Sequence, residues 1–270
     1  TLSGGQEYDA LHKHRGDHMN VKTLFIAVIG IAALMTTASI RAAEIKVLAS
    51  NGVREALQEL APAFERATGN KLVITFGLAA ALKRQIEGGE AFDLAILTSA
   101  GIDDLAKQGK VDAASRASIA RSGVGIGIRK GAPRPDIGTP DALKRTLLSA
   151  KSIAWAKEGA SGVYFASLLE RMGIAEQMKP KVVLAPSGAV VGKLVAGGEV
   201  QFGVILVNEL MAAPGVEVLG PLPAELQNYT IFHAGVGVGS KDSSAAKALI
   251  KFLATPSAGA AFRAKGQEAG

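Results

Sequence analysis

From Glu44 onward, short apolar runs alternate with amphipathic stretches, and glycine stops most of the latter. That rhythm constrains the fold more than any other feature. Residues 45–49 read as a strand. Residues 53–68 read as a helix, because Val53, Leu57, Leu60, Ala61, Phe64 and Ala67 fall on one stripe, and Gly69-Asn70 ends it. The unit recurs as strand 72–76 with helix 80–87, stopped by Gly88-Gly89, and as strand 92–97 with helix 102–107. A second block follows: a helix at 140–149 with Thr139 as cap and Pro140 first, strand 153–156, helix 162–172 ended by Gly173, strand 182–185, helix 189–196, strand 201–207, helix 208–212 and strand 216–219. Helices at 244–254 and 257–265 close the chain. This order predicts an α/β protein with mostly parallel sheets flanked by helices.

Two runs break the rhythm. Gly123-Val124-Gly125-Ile126-Gly127-Ile128 and Ala234-Gly235-Val236-Gly237-Val238-Gly239 place glycine on alternate strand positions. Glycine weakens a strand interior, so its repetition marks close backbone approach or bending. The runs fit either ordinary strands pressed against a helix or crossing strands between two lobes. The crossing reading divides the chain into one lobe of residues 44–124 and 236–270 and a second of residues 125–235.

Residues 19–43 read as a cleaved signal peptide. Met19-Asn20-Val21-Lys22 supplies a short basic start, residues 24–34 an apolar run of about 11, and Ala42-Ala43 a cleavage point near Ala43. The apolar run is too short to span a bilayer. Residues 1–18 read as an upstream extension. Its Leu2-Ser3-Gly4-Gly5-Gln6 and the histidines His12, His14 and His18 carry no chemistry without a surrounding architecture. An exported chain without cysteine holds its core without disulfides. A net charge of +6 suits small anions. No basic cluster interleaves with aromatics, which argues against nucleic acid.

Candidate binding residues sit where strands give way to helices: Asn51-Gly52, Thr98-Ser99, Ser161-Gly162 and Ser187-Gly188. Helix N-termini at the carboxyl ends of parallel strands offer free amides and partial positive charge to an anion. Metal and cofactor sites are not expected. His233 lies in an apolar strand, no G-x-S-x-G elbow is present, and residues 188–194 are one residue short of a phosphate loop and lack its Ser/Thr. Asp103-Asp104 reads as a solvated pair on an exposed helix.

Leu48-Ala-Ser-Asn51-Gly-Val-Arg-Glu-Ala-Leu-Gln-Glu-Leu60, Phe64-Glu-Arg-Ala-Thr-Gly69, Phe92-Asp-Leu-Ala-Ile96 and Gly197-Gly-Glu-Val-Gln-Phe-Gly203 resemble type II periplasmic solute-binding proteins, in the molybdate-binding branch. The resemblance implies two lobes joined by crossing strands, a periplasmic location, a monomer, a small anionic ligand held between the lobes, and an inner-membrane permease of an ATP-driven (ABC) import system as partner. Carried over by position, the amides of Gly52, Ala80, Gly162 and Gly188 would cradle the ligand, with Asn51, Ser161, Ser187 and Asn208 donating or orienting. The sequence departs from the oxyanion pattern at Gly52, Ala80 and Leu206, where that branch places two serines and a tyrosine. The stretch from Arg129 to Asp136 with Ser161-Gly162-Val163-Tyr164 is similar to a sister group that includes an exported aconitate isomerase. A carrier rather than an enzyme is expected. In that carrier reading Arg54 and Arg84 are candidate charge partners for the ligand. The alternative is an isomerase acting on a tricarboxylate, with Glu209, Glu158 or His233 as base.

Overall fold

The computed structural model describes residues 42–270; the extension at 1–18 and most of the signal segment at 19–43 lie outside the described residues. β1 (Glu44–Ser50) passes through one 3-10 turn into α1 (Arg54–Thr68), which buries Ala56, Leu57, Leu60 and Phe64. Gly69 ends the helix at φ 73, a left-handed conformation that glycine adopts without a Cβ penalty. β2 (Lys71–Gly77), α2 (Ala79–Glu87), β3 (Leu94–Thr98) and α3 (Ser99–Lys107) follow. β1 pairs in parallel with both β2 and β3.

β4 (Ala117–Arg129) organises the rest. Its residues 117–123 pair antiparallel with β9 (Tyr229–Val236), and its residues 124–129 pair antiparallel with β7 (Phe202–Leu206) and β8 (Val216–Pro221). Between these lie α4 (Pro140–Ser149), β5 (Ile153–Ala156), α5 (Ala160–Arg171), the single-turn α6 (Ala175–Met178), β6 (Val182–Ala185), α7 (Gly188–Gly197) and α8 (Val207–Ala212). α9 (Ser243–Leu253), α10 (Pro256–Ala264) and β10 (Glu268–Ala269) end the chain on the first half of β4. The strand order is β2-β1-β3-β9-β4-β7-β5-β6.

Each half of this order is covered on both faces, as parallel strands require. The first half has Ile45, Val47, Phe64, Phe232 and Leu249 on one side and Leu48, Leu82, Ile86 and Leu105 on the other. The second has Val124, Ile126, Trp155 and Phe165 opposed by Ala154, Val191, Val195 and Leu210. Trp155 and Phe165 meet edge to face at 5.4 Å.

Two strands differ from the sequence reading. β4 begins six residues before the glycine run, because its polar Ser118 and Arg121 lie on a partly exposed face. β9 starts at Tyr229 and stops at Val236, so Gly237 to Gly239 fall outside it. The alternation that defines β9 is carried by Thr230, Phe232 and Ala234 facing inward. The glycines in β4 mark close approach: a Cβ on Gly127 would lie 2.4 Å from Leu210 Cδ2 and 3.0 Å from Val216 Cγ1. α8 is thereby allowed to pack directly on the strand. Gly127→Val should cost about 1–3 kcal/mol by overpacking, read as a lower urea midpoint at unchanged m-value. An unchanged midpoint would mean that α8 withdraws without cost.

Candidate functional site

Ser50, Thr98, Ala156 and Leu206 are the last residues of β1, β3, β5 and β7, and all four line one cleft of ≈ 310 Å³. The parallel strands of both halves thus end on the same space, where open α/β sheets bind ligands. Thr230 and Phe232 of β9 also line it.

Helix N-termini converge on it. α2 begins after Leu78 and α5 after Gly159, and no side chain caps either one. Their first-turn amides have no partner within the helix, and Ala79, Ala80, Ala160 and Ser161 line the cleft. α7 also begins there at Gly188, with the Ser187 hydroxyl accepting from the Val190 amide at 3.4 Å. Leu78, Ala79 and Ala80 form a wall that offers backbone amides but no hydroxyl.

The structure distributes the expected ligand residues unevenly. Asn51, Gly52, Ala80, Ser161 and Gly188 line the cleft. Ser187 lines a neighbouring cavity of ≈ 590 Å³ instead, together with Arg54, Glu55 and Lys193. Gly162 packs against β5; a Cβ there would lie 2.1 Å from the Ala156 carbonyl oxygen. Asn208 is buried and lines neither cavity: its side-chain amide donates to the Gly52 carbonyl at 2.9 Å. Gln267 donates to the same oxygen at 2.9 Å. One expected donor is already engaged: the Gly52 amide donates to Ser50 Oγ at 3.3 Å. Asn51 Oδ1 accepts from Arg54 Nη2 at 2.6 Å.

The charged groups of the cleft were less visible in sequence. Lys83 lies one helical turn beyond Ala79 and reaches the cleft, held by Glu87 at 2.8 Å and Asp104 at 3.6 Å. The Glu87 hydrogen bond pushes the Lys83 ammonium above its ordinary value, so it stays cationic. Asp104 is exposed, as expected, but also pairs with Lys83 at the cleft, and Asp103 pairs with Arg116 at 2.6 Å. Arg84 of α2 and Glu158, in the loop before α5, close a 2.7 Å ion pair between the two halves of the sheet. That pair is exposed on both sides, so solvent screens it and it adds little to stability.

The three candidate bases separate clearly. Glu158 is lowered by the hydrogen bond from Arg84 and is held ionised. His233 lies on β9 opposite Leu97 and Ser118 and does not line the cleft; burial lowers its pKa. Glu209 lines both cavities. Its carboxylate stands against the first residue of α7: a Cβ on Gly188 would lie 3.0 Å from Glu209 Oε1. Its one hydrogen bond among the described residues comes from the Leu206 amide at 3.4 Å. Burial pushes its pKa up to about 7; the Leu206 hydrogen bond opposes this, and nearby Glu55 adds to it. Among the described residues no group of three or more His, Cys, Asp or Glu stands in a metal-holding arrangement.

Comparison with known proteins agrees with this architecture. A family model described as bacterial extracellular solute-binding protein matches residues 45–268. An aconitate isomerase from Pseudomonas sp is 32% identical over 250 residues, covering 90% of this chain and 95% of that protein. The molybdate-binding protein ModA of Azotobacter vinelandii is 27% identical over 247 residues, covering 88% of this chain and 95% of that protein. The solved periplasmic molybdate-binding protein of Azotobacter vinelandii superposes with a TM-score of 0.70 at 19% identity, covering 83% of this chain and 98% of that one.

Glu209 gives the fold a pH signature. A carboxyl whose pKa rises from an ordinary 4.5 to about 7 on folding favours the folded state fully below pH 4.5, and this contribution is lost as pH rises through 7. Glu209→Gln should flatten the fall in stability between pH 5 and 8 and should raise stability at pH 8 by about 1–3 kcal/mol. Denaturant midpoints across that range check it. Parallel pH profiles for the two proteins would refute the burial of this carboxyl.

Proposed function

The chain belongs to the family of bacterial extracellular solute-binding proteins, and from that membership we propose that it binds a small organic-acid anion in the cleft between its two lobes. The observation that carries this reading is the pair of uncapped helix N-termini, those of α2 and α5, opening from the two halves of the sheet onto one cleft. Such amides and their dipoles attract a negative group without needing a fixed cation. The apolar wall at Leu78, Ala79 and Ala80 favours a carbon skeleton. A tetrahedral oxyanion wants a donor for each oxygen, and that wall supplies no hydroxyl. The relatives named for molybdate support anion binding in general. In this reading the protein works in the periplasm as a monomer and hands its ligand to an ABC permease. Closure about β4 would bring residues 125–235 toward residues 44–124 and 236–270.

A second reading is favoured by Glu209 and by the 32% identical aconitate isomerase. A cleft carboxylate with a pKa of about 7 is suited to take a proton from carbon beside a ligand carboxylate and return it at the other end of the shifted double bond. One set of measurements separates the two. A thermal-shift series with molybdate, tungstate, sulfate and di- and tricarboxylates should give stabilisation with carboxylates. Stabilisation by molybdate and tungstate alone would overturn the organic-acid reading. Incubation with trans-aconitate, followed by ultraviolet absorbance, should leave the spectrum unchanged for a carrier. Turnover that falls about 100-fold or more in Glu209→Gln would establish the isomerase instead.

A further inference from the structure

Glu209 is an awkward group to find in a cleft that grips anions. It stands at the start of α7, where the helix dipole would otherwise welcome a negative ligand. It has no ion-pair partner among the described residues. The charged groups that share its two cavities are Lys83, Asp104 and Glu158 on the cleft side and Arg54, Glu55 and Lys193 on the other. Two of the three cations are engaged elsewhere, and Lys193 makes no ion pair among the described residues. Lys83 is held by Glu87 and Asp104. Arg54 donates to Asn51 and lies 4.3 Å above the Phe76 ring, while its charge also lowers the Glu209 pKa against the effect of burial. Glu55, an acid that raises the Glu209 pKa further, carries a buried oxygen Oε2 with no hydrogen-bond partner among the described residues. A carboxylate in this position acts only as an acceptor.

We propose that Glu209 determines specificity by selecting an anion that brings its own hydrogen-bond donor, a hydroxy acid or a still-protonated oxyacid, over anions whose oxygens are all bare. This rests on the anion-binding part of the reading above, not on its preference for a carbon skeleton, and adds a donor requirement to it. A ligand hydroxyl facing Glu209 donates a short, charge-assisted bond to the ionised carboxylate. An anion without a proton meets the carboxylate oxygen to oxygen in a confined space. It binds only if Glu209 first takes up a proton, which its raised pKa of about 7 makes accessible but unfavourable at higher pH.

Matched ligand pairs test the proposal, because each differs in the donor. Phosphate at pH 8 carries one O–H and sulfate none; malate carries a hydroxyl that succinate lacks. Titration calorimetry at pH 8 should show the donor-bearing member of a bound pair binding at least about tenfold tighter, the order a hydrogen bond to a charged group is worth. Glu209→Gln, which can both donate and accept, should bring the two members within about threefold. Wild-type protein titrated in buffers of different ionisation enthalpy gives a second readout independent of any variant. Sulfate or succinate should take up close to one proton, and phosphate or malate none. Equal affinities in the wild type, a ratio kept in Glu209→Gln, or equal proton uptake within a pair would overturn the proposal while leaving anion binding intact. Failure of every anion to bind either protein would overturn the anion-binding reading, and this inference with it.

Discussion

The carbonyl of Gly52 is the point on which the two halves of the molecule meet. It is buried, and it accepts hydrogen bonds from the side-chain amides of Asn208 and Gln267. Asn208 belongs to α8 in the second half, Gln267 to the tail that returns to β4, and Gly52 to the turn that opens α1. A buried carbonyl must be satisfied, and here the satisfaction binds three distant stretches of chain together. The site depends on it. The turn at Asn51-Gly52 forms one wall of the cleft, and the Asn208 side chain fixes α8, which carries Glu209. A Cβ on Gly52 would lie 2.3 Å from Phe232 Cζ, so only glycine lets the turn settle onto β9.

With that geometry fixed, the electrostatics of the cleft become a contest between dipoles and carboxylates. The free amides of α2 and α5 favour a negative guest. Glu209, Glu158 and Asp104 oppose one. Glu158 is offset by Arg84 and Asp104 by Lys83. Glu209 makes no ion pair among the described residues, although the Arg54 charge lowers its pKa; an ionised carboxylate at about 5 Å from a bound anion would exert a repulsion of about 3 kcal/mol in a medium of effective dielectric 20. A helix terminus returns about 0.3–1 kcal/mol when exposed and up to about 2 kcal/mol when partly buried, so the two termini together are of the same order. The protonation state or hydrogen bonding of Glu209 therefore weighs on the outcome as heavily as the amides do.

Much of the fold could be read from the residues because its signals are local. The Thr139-Pro140 start of α4 and the glycine stops after α1 and α5 depend on neighbours in sequence and appear where expected, and of the α1 stripe Leu57, Leu60 and Phe64 are buried while Ala67 is exposed. β9 was misplaced because glycine alternation pointed to residues 234–239, whereas pairing with β3 and β4 selects Tyr229–Val236. The site was less legible. Asn51, Gly52, Ala80, Ser161 and Gly188 follow from strand-to-helix loops, a local signal. Asn208 and Gly162 carry the same signal but serve packing, because what they face is set by residues far away in sequence. Lys83 and Asp104 reach the cleft from positions inside helices, and only the side-by-side placement of α2 and α3 brings them together.

The character of Glu209 also bears on why one architecture can host both carriers and catalysts. A fold fixes where a ligand lies, not what happens to it. The same carboxylate can accept a hydrogen bond from a ligand hydroxyl or take a proton from a ligand carbon. Which of these occurs depends on the atom the ligand presents to it. An O–H there donates and remains bonded; binding is then the whole event. A carbon acid made more acidic by an adjacent carboxylate, itself held at the N-termini of α2 and α5, presents a proton that a base of matched pKa can remove. The step from carrier to isomerase would need no new residue in this cleft, only a ligand seated so that carbon rather than oxygen meets Glu209.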